Sequence, residues 1–244
     1  MKRFEGKRVL VTGGSRGLGR AICEAFVREG ARGVAFTYVK NEQAKDETLK
    51  VLGDRARAFK VEAFDGAGTE AMVRALEAEW GGIDVLVNNA GVTQNLPLAL
   101  MEEDDFDHVM RVNVKGTFVT SKAVLRGMIR RKDGVIVNIG SMAGVRLIEA
   151  PIHYCASKAA VVGLTQAMAK EVARYKIRVV CLAPGLLEDG IGRNLPDHRL
   201  VDYLKHCALG RVGTFDEIAE GCLFLASDDA SYAQGMTIVM DGGV

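Results

Sequence analysis

Apolar residues along this chain come in short unbroken runs rather than in strict alternation. RVLVT (8–12), GVAFTY (33–38), ARAFKV (56–61), DVLVN (84–88), GVIVNI (134–139) and IRVVCLA (177–183) are rich in β-branched and apolar residues, and MTIVM (236–240) makes a seventh run. A strand covered on one face alternates apolar and polar positions, whereas a strand covered on both faces does not. The runs therefore predict a parallel sheet with helices packed on both sides. Helical patterns fill the gaps at 17–30, 41–52, 69–80, one long stretch through 102–131, 153–174 and 215–226. The expected architecture is α/β: a Rossmann-type doubly wound parallel sheet of about seven strands. With no repeat, low-complexity tract or linker, it reads as a single domain over 1–244.

The segment 185–210, GLLEDGIGRNLPDHRLVDYLKHCALG, breaks this rhythm with turn formers and charges where a quick return to the sheet is expected. Two readings fit it: a lid over a site, as long insertions after strands often are, or a surface helix and loop.

Charge excludes some functions. Lys and Arg number 32 against 31 Asp and Glu, for a net charge of +1, so no global field suits nucleic acid or an anionic membrane. The apolar run near the start, Val9–Val11, is far too short for a signal-peptide core or a membrane span. The five cysteines form no C-x-x-C pair, which argues against a zinc cluster or disulfide framework and fits a reducing cytoplasm. The four histidines are scattered without ligand spacing, so no metal is expected and they read as surface or loop residues.

Candidate chemistry begins in VLVTGGSRGLGRAICEAF, where Gly13, Gly17 and Gly19 lie between a strand and an amphipathic helix, with Ser15, Arg16 and Leu18 among them. Glycine permits a tight turn and close approach of the backbone to a pyrophosphate, and the helix beyond it offers free N–H groups and a positive dipole end. The second strand ends in FTYVKN, with Tyr38 and Lys40 but no acid from Phe36 to Lys40. An acid there commonly binds the ribose 2′-hydroxyl of NAD. Its absence, together with Arg16, favours the extra phosphate of NADP, so the expected cofactor is NADPH. Read otherwise, Arg16 and Lys40 are solvated surface charges, and Glu42 stands close by.

Tyr154 and Lys158 are four residues apart on a predicted helix and so share one face. A phenol of pKa about 10 is a poor acid or base at neutral pH, and a neighbouring ammonium lowers that value. By itself the pair also fits a half-buried Tyr beside a snorkelling Lys. Ser141 ends the fifth strand at the carboxyl edge, where open α/β sheets bind ligands. LVNNAG brings Asn88, Asn89, Ala90 and Gly91 to the same edge, and Asn113 lies within the long helix, where asparagine needs a reason to stay.

Taken in order, TGGSRGLG, NNAG, the VNV asparagine, Ser141 followed thirteen residues later by YCASK, APG at 183–185 and the terminal DGG resemble the short-chain dehydrogenase/reductases over essentially the whole chain. The resemblance implies a catalytic tetrad. Tyr154 is the general acid/base, Ser141 polarises the carbonyl, Lys158 holds the nicotinamide ribose and lowers the Tyr154 pKa, and Asn113 positions a water in a proton relay. It also implies that Glu62 or Ala63 lies near the adenine, that Asn88 lines the adenosine ribose, and that Pro184, Gly185 and Leu187 border the nicotinamide. Where many relatives carry a Thr after the Pro-Gly, this chain has PGLLED.

Within the family the likeness is strongest to β-ketoacyl-ACP reductases, through FEGKRVLVTGGSRGLGRAI, VNVKGTF, LFLASDDASY and the short C-terminus. That implies reduction of a 3-oxoacyl thioester on an acidic acyl carrier protein, in fatty-acid or polyketide-type biosynthesis, and a homotetramer formed through the two long helices. A basic patch beside the cleft would suit the carrier, with Arg130, Arg131 and Lys170 as candidates; basic residues at helix C-termini also complement the macrodipole without any partner. Pro151-Ile152-His153 stands where many ketoacyl reductases have a Gln, and Arg146, Glu149 and the 185–210 segment suggest a specialised substrate. A dehydrogenase of a free ketone, sugar or cyclic alcohol, and a non-catalytic dinucleotide-binding protein, are the other readings.

Overall fold

The structure is a computed structural model that describes residues 2–189 and 197–244. Strands β1 (Arg8–Val11), β2 (Gly33–Tyr38), β3 (Ala56–Lys60), β4 (Val85–Asn88), β5 (Gly134–Ile139), β6 (Ile177–Pro184) and β7 (Thr237–Met240) form one sheet in the order β3-β2-β1-β4-β5-β6-β7, with every pairing parallel. The order reverses direction between β1 and β4, so the loops leaving these two strands diverge and open a crevice at the carboxyl edge.

The unbroken apolar runs have the cause expected of them. Val9 and Val11 of β1, Val34 and Phe36 of β2, and Val85 and Val87 of β4 enter one core; Leu10, Ala35 and Leu86 between them enter another. The first core is completed by α1 (Gly17–Arg28) and α8 (Phe215–Ala226) through Ile22, Phe26, Ile218 and Leu223. The second is completed by α3 (Gly66–Trp80), α5 (Gly116–Arg131) and α6 (Ile152–Val172) through Val73, Leu76, Val124, Met128 and Val172. Each such large side chain removed from water contributes about 1.5–3 kcal/mol.

The helices α2 (Glu42–Leu52) and α3 start at side-chain caps, Asn41 accepting from Ala44 N and Asp65 from Gly68 N. The long helix expected through 102–131 is not continuous. It consists of α4 (Glu103–Met110), one π turn over Arg111–Lys115, and α5. Asn113 sits in that π turn, and its side chain bonds outside the helix. Of the 185–210 segment, residues 190–196 lie outside the described residues, and α7 (Asp197–His206) follows. No helix among the described residues is long and apolar enough to cross a membrane.

The two strands at the switch point are tied at their amino ends by a half-enclosed ion pair. Asp84 accepts from Arg8 N (2.8 Å), Nε (2.8 Å) and Nη2 (2.6 Å), and Arg8 Nη1 reaches Trp80 O (2.8 Å). Burial pushes the Asp84 carboxyl up, but the side-chain and backbone hydrogen bonds from Arg8 outweigh it, and the net shift is downward. A depressed acid stabilises the fold above its unfolded pKa, and that contribution is lost as pH falls through the lower folded value. Asp84→Ala is expected to lower the unfolding free energy at pH 7 by about 2–3 kcal/mol in urea titrations, below the range for a fully buried pair because Arg8 keeps some solvent contact. The deficit relative to the unaltered protein should shrink below about pH 4; a deficit that is constant down to pH 2 would contradict this account.

Candidate active site

The loop between β1 and α1 is shaped by what its glycines lack. Gly13 takes a left-handed backbone (φ +68°), and a Cβ on Gly19 would overlap the Gly13 carbonyl oxygen and the Asn89 amide. Two threonines hold the loop in place. Thr37 Oγ1 accepts from Gly13 N (3.0 Å), and Thr12 Oγ1 accepts from both Asn89 N and Ala90 N (3.0 Å each). Asn89 Nδ2 donates to Thr12 O (3.0 Å), and the buried Thr48 donates to Ser15 O (2.9 Å). Thr12 and Thr37 were not named as candidates above, although Thr12 opens the TGGSRGLG motif; each sits at the end of a buried strand. Leu18 packs into the core beneath the loop. Arg16 is the extended residue before α1, no side chain caps that helix, and its first turn carries no acid. Its N-terminal N–H groups and positive dipole end thus face the crevice with no anion of the protein's own, which fits a pyrophosphate.

Beyond β2 and β3 lies a polar cavity of about 490 Å³ lined by Val39, Lys40, Lys60, Val61, Glu62 and Asp65. The acid beside it, Glu42, is already engaged: Lys60 Nζ (2.9 Å) and Tyr38 Oη (2.9 Å) donate to it, with Lys45 at 3.4 Å. These partners hold its carboxyl below the usual range. Arg16 and Lys40 are exposed and make no ion pair with the described residues, so they are cations free to meet an anion at this side of the crevice. Ala63 packs against Gly116 at the start of α5 rather than into the cavity. The expectation for Asn88 needs correction. Its side chain is buried and turned toward the helices, donating to Ser121 Oγ (3.0 Å) and Asn138 Oδ1 (2.8 Å). A network inside the core accounts for the side chain, which leaves only the Asn88 backbone at the crevice edge.

Tyr154, Lys158 and Ser141 converge where β5 ends and α6 begins. Lys158 is buried, donates to Ile139 O (2.8 Å), and lies 5.7 Å from the Tyr154 ring centroid. Burial pulls the Lys158 ammonium down to about 8. Burial pushes the Tyr154 phenol up, and the hydrogen bond with Ser141 opposes it. Ser141 is the extended residue before a short 3₁₀ turn (Met142–Gly144), with Oγ accepting from Ala143 N (3.2 Å). Asn113 is almost wholly buried. Its Oδ1 accepts from Val92 N (2.8 Å), and its Nδ2 donates to Val92 O (3.0 Å) and Ser157 Oγ (2.9 Å). Gly91 is flanked by Asn113 Oδ1 and Lys158 Nζ. A proton donor, a second hydroxyl, an ammonium and an amide therefore surround one crevice beside the glycine loop, an arrangement suited to proton transfer at a carbonyl.

At the end of β6, Gly185 N donates to Met240 O (2.9 Å), and Leu187 pairs with Gly213. Pro184, Gly185 and Leu187 thus stand at the same carboxyl edge as Ser141. Where a Thr is often found, Glu188 instead caps α8 by accepting from Phe215 N (2.8 Å).

Other expectations change. His153 is not a surface residue: it is fully buried, its Nδ1 accepts from Tyr154 N (2.9 Å), and burial holds its imidazole below the usual value. The basic candidates do not flank their own cleft. Arg130 and Arg131 end α5 and Lys170 lies near the end of α6, at the amino edge of the sheet; along α6, Lys170 is about 24 Å from Tyr154. Arg131 is also consumed internally, donating to Ile83 O across Gly82, and Arg130 pairs with Glu77 (3.2 Å).

Residues 7–199 match the family model described as short chain dehydrogenase. The chain is 39% identical to the 3-oxoacyl-[acyl-carrier-protein] reductase FabG of Salmonella typhimurium over 241 residues, 99% of this chain and 98% of that protein. It is 38% identical to the FabG of Vibrio cholerae over 241 residues (99% and 98%) and 38% identical to that of Thermotoga maritima over 243 residues (99% and 99%). Among solved structures, the crystal structure of gox2181 superposes with a TM-score of 0.93 at 30% identity, covering 99% of this chain and 96% of that one.

The low value at Lys158 carries a stability cost. A lysine that is harder to protonate folded than unfolded destabilises the fold below its folded value, and stability rises as pH climbs from about 8 toward the unfolded value near 10.4. Lys158→Met is therefore expected to raise the melting temperature of the ligand-free protein at pH 7 and to flatten its rise between pH 8 and 10. A lower melting temperature at pH 7 would overturn this.

Proposed function

This chain belongs to the short-chain dehydrogenase family, and we propose that it reduces the 3-oxo group of an acyl thioester on acyl carrier protein to the 3-hydroxyacyl thioester, with NADPH as reductant. The observation that carries this reading is the convergence of Tyr154, Ser141, Lys158 and Asn113 beside an uncapped glycine-loop helix, in a chain alike over its full length to FabG proteins. When bound, the reduced nicotinamide supplies a hydride to the substrate's carbonyl carbon. Ser141 Oγ donates a hydrogen bond to the carbonyl oxygen, and Tyr154 Oη gives that oxygen its proton, so the product is an alcohol. The Lys158 ammonium stabilises the phenolate left behind. Asn113, its side chain fixed on Val92 and Ser157, is the residue that positions a water in the proton relay.

The preference for NADPH rests on Arg16 and Lys40, the exposed cations near the second strand's end, and on Glu42 being neutralised by Lys60 and Tyr38. Glu62 lines the same cavity, and in this reading the adenine lies beside it. A homotetramer through α5 and α6 is favoured by a groove of about 520 Å³ on their outer face, lined by Met110, Val114, Phe118 and Leu164 among others. A two-fold pairing with its axis perpendicular to these helices would run them antiparallel and bring Arg130 and Lys170 of one subunit toward its partner's cleft, where an acidic carrier would meet them.

With acetoacetyl-CoA as surrogate substrate, NADPH oxidation should exceed NADH oxidation, and Arg16→Ala should cut that preference by about tenfold or more. Tyr154→Phe should lower kcat/KM by about 10²–10⁴-fold while NADPH binding, followed by nicotinamide fluorescence, is unchanged. Turnover by Tyr154→Phe near that of the unaltered protein would overturn the mechanism. Activity on small cyclic ketones with none on thioesters would favour the free-ketone reading.

A further inference from the structure

The turn that follows β6 is held from outside by one side chain on α7. Tyr203 Oη accepts from Leu186 N (3.0 Å) and donates to Asp241 O (3.2 Å). Burial pushes the Tyr203 phenol up, so it keeps the proton this second bond requires. The fit is close: a Cβ on Gly185 would stand 2.7 Å from Tyr203 Oη and 2.7 Å from Asp241 Cα.

Asp241 is itself immobilised. Its carboxylate accepts from Arg146 Nε (2.6 Å) and Gly243 N (3.0 Å), and the buried Cys207 at the end of α7 lies with Sγ 3.4 Å from Gly242 O. On its other flank the turn is bonded to the chain before α8, Gly213 N donating to Leu186 O (2.9 Å) and Glu188 N to Gly213 O (3.0 Å). Tyr203 therefore closes a bracket around Gly185–Leu187, and α7 is fastened to the floor of the crevice at that point.

We propose that Tyr203 is a positioning residue for the cofactor, its hydroxyl setting the backbone of Gly185–Leu187 at the place where that turn borders the nicotinamide; this rests on the cofactor reading above. Losing the hydroxyl leaves Leu186 N without its partner and frees the turn to move, which weakens contacts with the nicotinamide half alone. The adenosine half is bound some distance away by the glycine loop and the Lys40–Glu62 cavity and should not sense the change.

The test compares two ligands on Tyr203→Phe. NADPH binding is read by nicotinamide fluorescence. Adenosine 2′,5′-bisphosphate, which lacks the nicotinamide, is read by calorimetry; NADH and adenosine monophosphate are run alongside in case the 2′-phosphate is not recognised. Expected is about tenfold weaker binding of the reduced dinucleotide with unchanged binding of the adenosine fragment. Equal dinucleotide affinity in both proteins, or an equal loss for both ligands, would overturn the proposal. Failure of the unaltered protein to bind either dinucleotide would instead overturn the cofactor reading beneath it. Should Tyr203→Phe not fold, Tyr203→His, which keeps a ring and a polar atom on α7 but cannot make both bonds, is expected to show the same selective loss, with an equal loss for both ligands or none overturning the proposal.

Discussion

The amide of Asn113 joins parts of the molecule that the sheet alone would leave independent. Its oxygen and nitrogen clasp both polar groups of Val92, in the loop after β4, and its nitrogen also reaches Ser157, one turn along from Tyr154. To do so it sits in a π turn, where the ordinary helical ladder is widened. A π turn is costly unless a tertiary contact repays it, and here three bonds from one buried side chain do. The loop carrying Gly91, the helix pair α4–α5 and the catalytic helix are consequently fixed relative to one another before any ligand arrives.

That rigidity makes an unfavourable set of burials tolerable. Lys158 is buried with a carbonyl as its partner rather than a carboxylate, and Tyr154 is enclosed enough for its phenol to be harder to ionise than in water. In the ligand-free protein both shifts arise from burial. The expectation that Lys158 lowers the Tyr154 value is not met here: burial raises the phenol, and the group that opposes the rise is Ser141, while the Lys158 ammonium is spent on Ile139 O. A site of this kind stores destabilisation that the two hydrophobic cores must cover, which is how stability and activity come to be opposed.

The fold was legible because its signals are local. A strand buried on both faces must be apolar at consecutive positions, and β1, β2, β4, β5 and β6 announce themselves in that way. The glycine loop and the Tyr–Lys spacing were legible for the same reason, each being a pattern within one element. The break in the long helix was not, because it is caused by Val92 and Ser157, 21 and 44 residues from Asn113. Asn88 misled because a strand-end asparagine can face either the crevice or the helices, and only the neighbouring Asn138 and Ser121 decide which. The same holds for Arg131, whose carbonyl partner Ile83 lies on a separate turn, and for His153, buried by α4 packing on α6. Thr12 opens the TGGSRGLG motif and Thr37 belongs to none, and in neither case did the pattern give the hydroxyl's role; their value lies in the register that sets β1 between β2 and β4.

Charge tells a similar story at a different scale. A net charge near zero excludes a broad polyelectrolyte partner but is silent about sites, and the structure shows how the charges are distributed. Most acids near the crevice are spoken for: Glu42 by Lys60 and Tyr38, Asp241 by Arg146, Glu149 by Arg199, Glu217 by Arg211. Pairing of this sort gives little stability when exposed. Its effect is to reduce negative potential along the rim near Arg16, Lys40 and the α1 N-terminus, leaving Glu62 and Asp65 as the carboxylates that line the cavity beyond β2 and β3. In a nearly neutral chain the local field is then set by where the carboxylates are occupied rather than by how many cations there are.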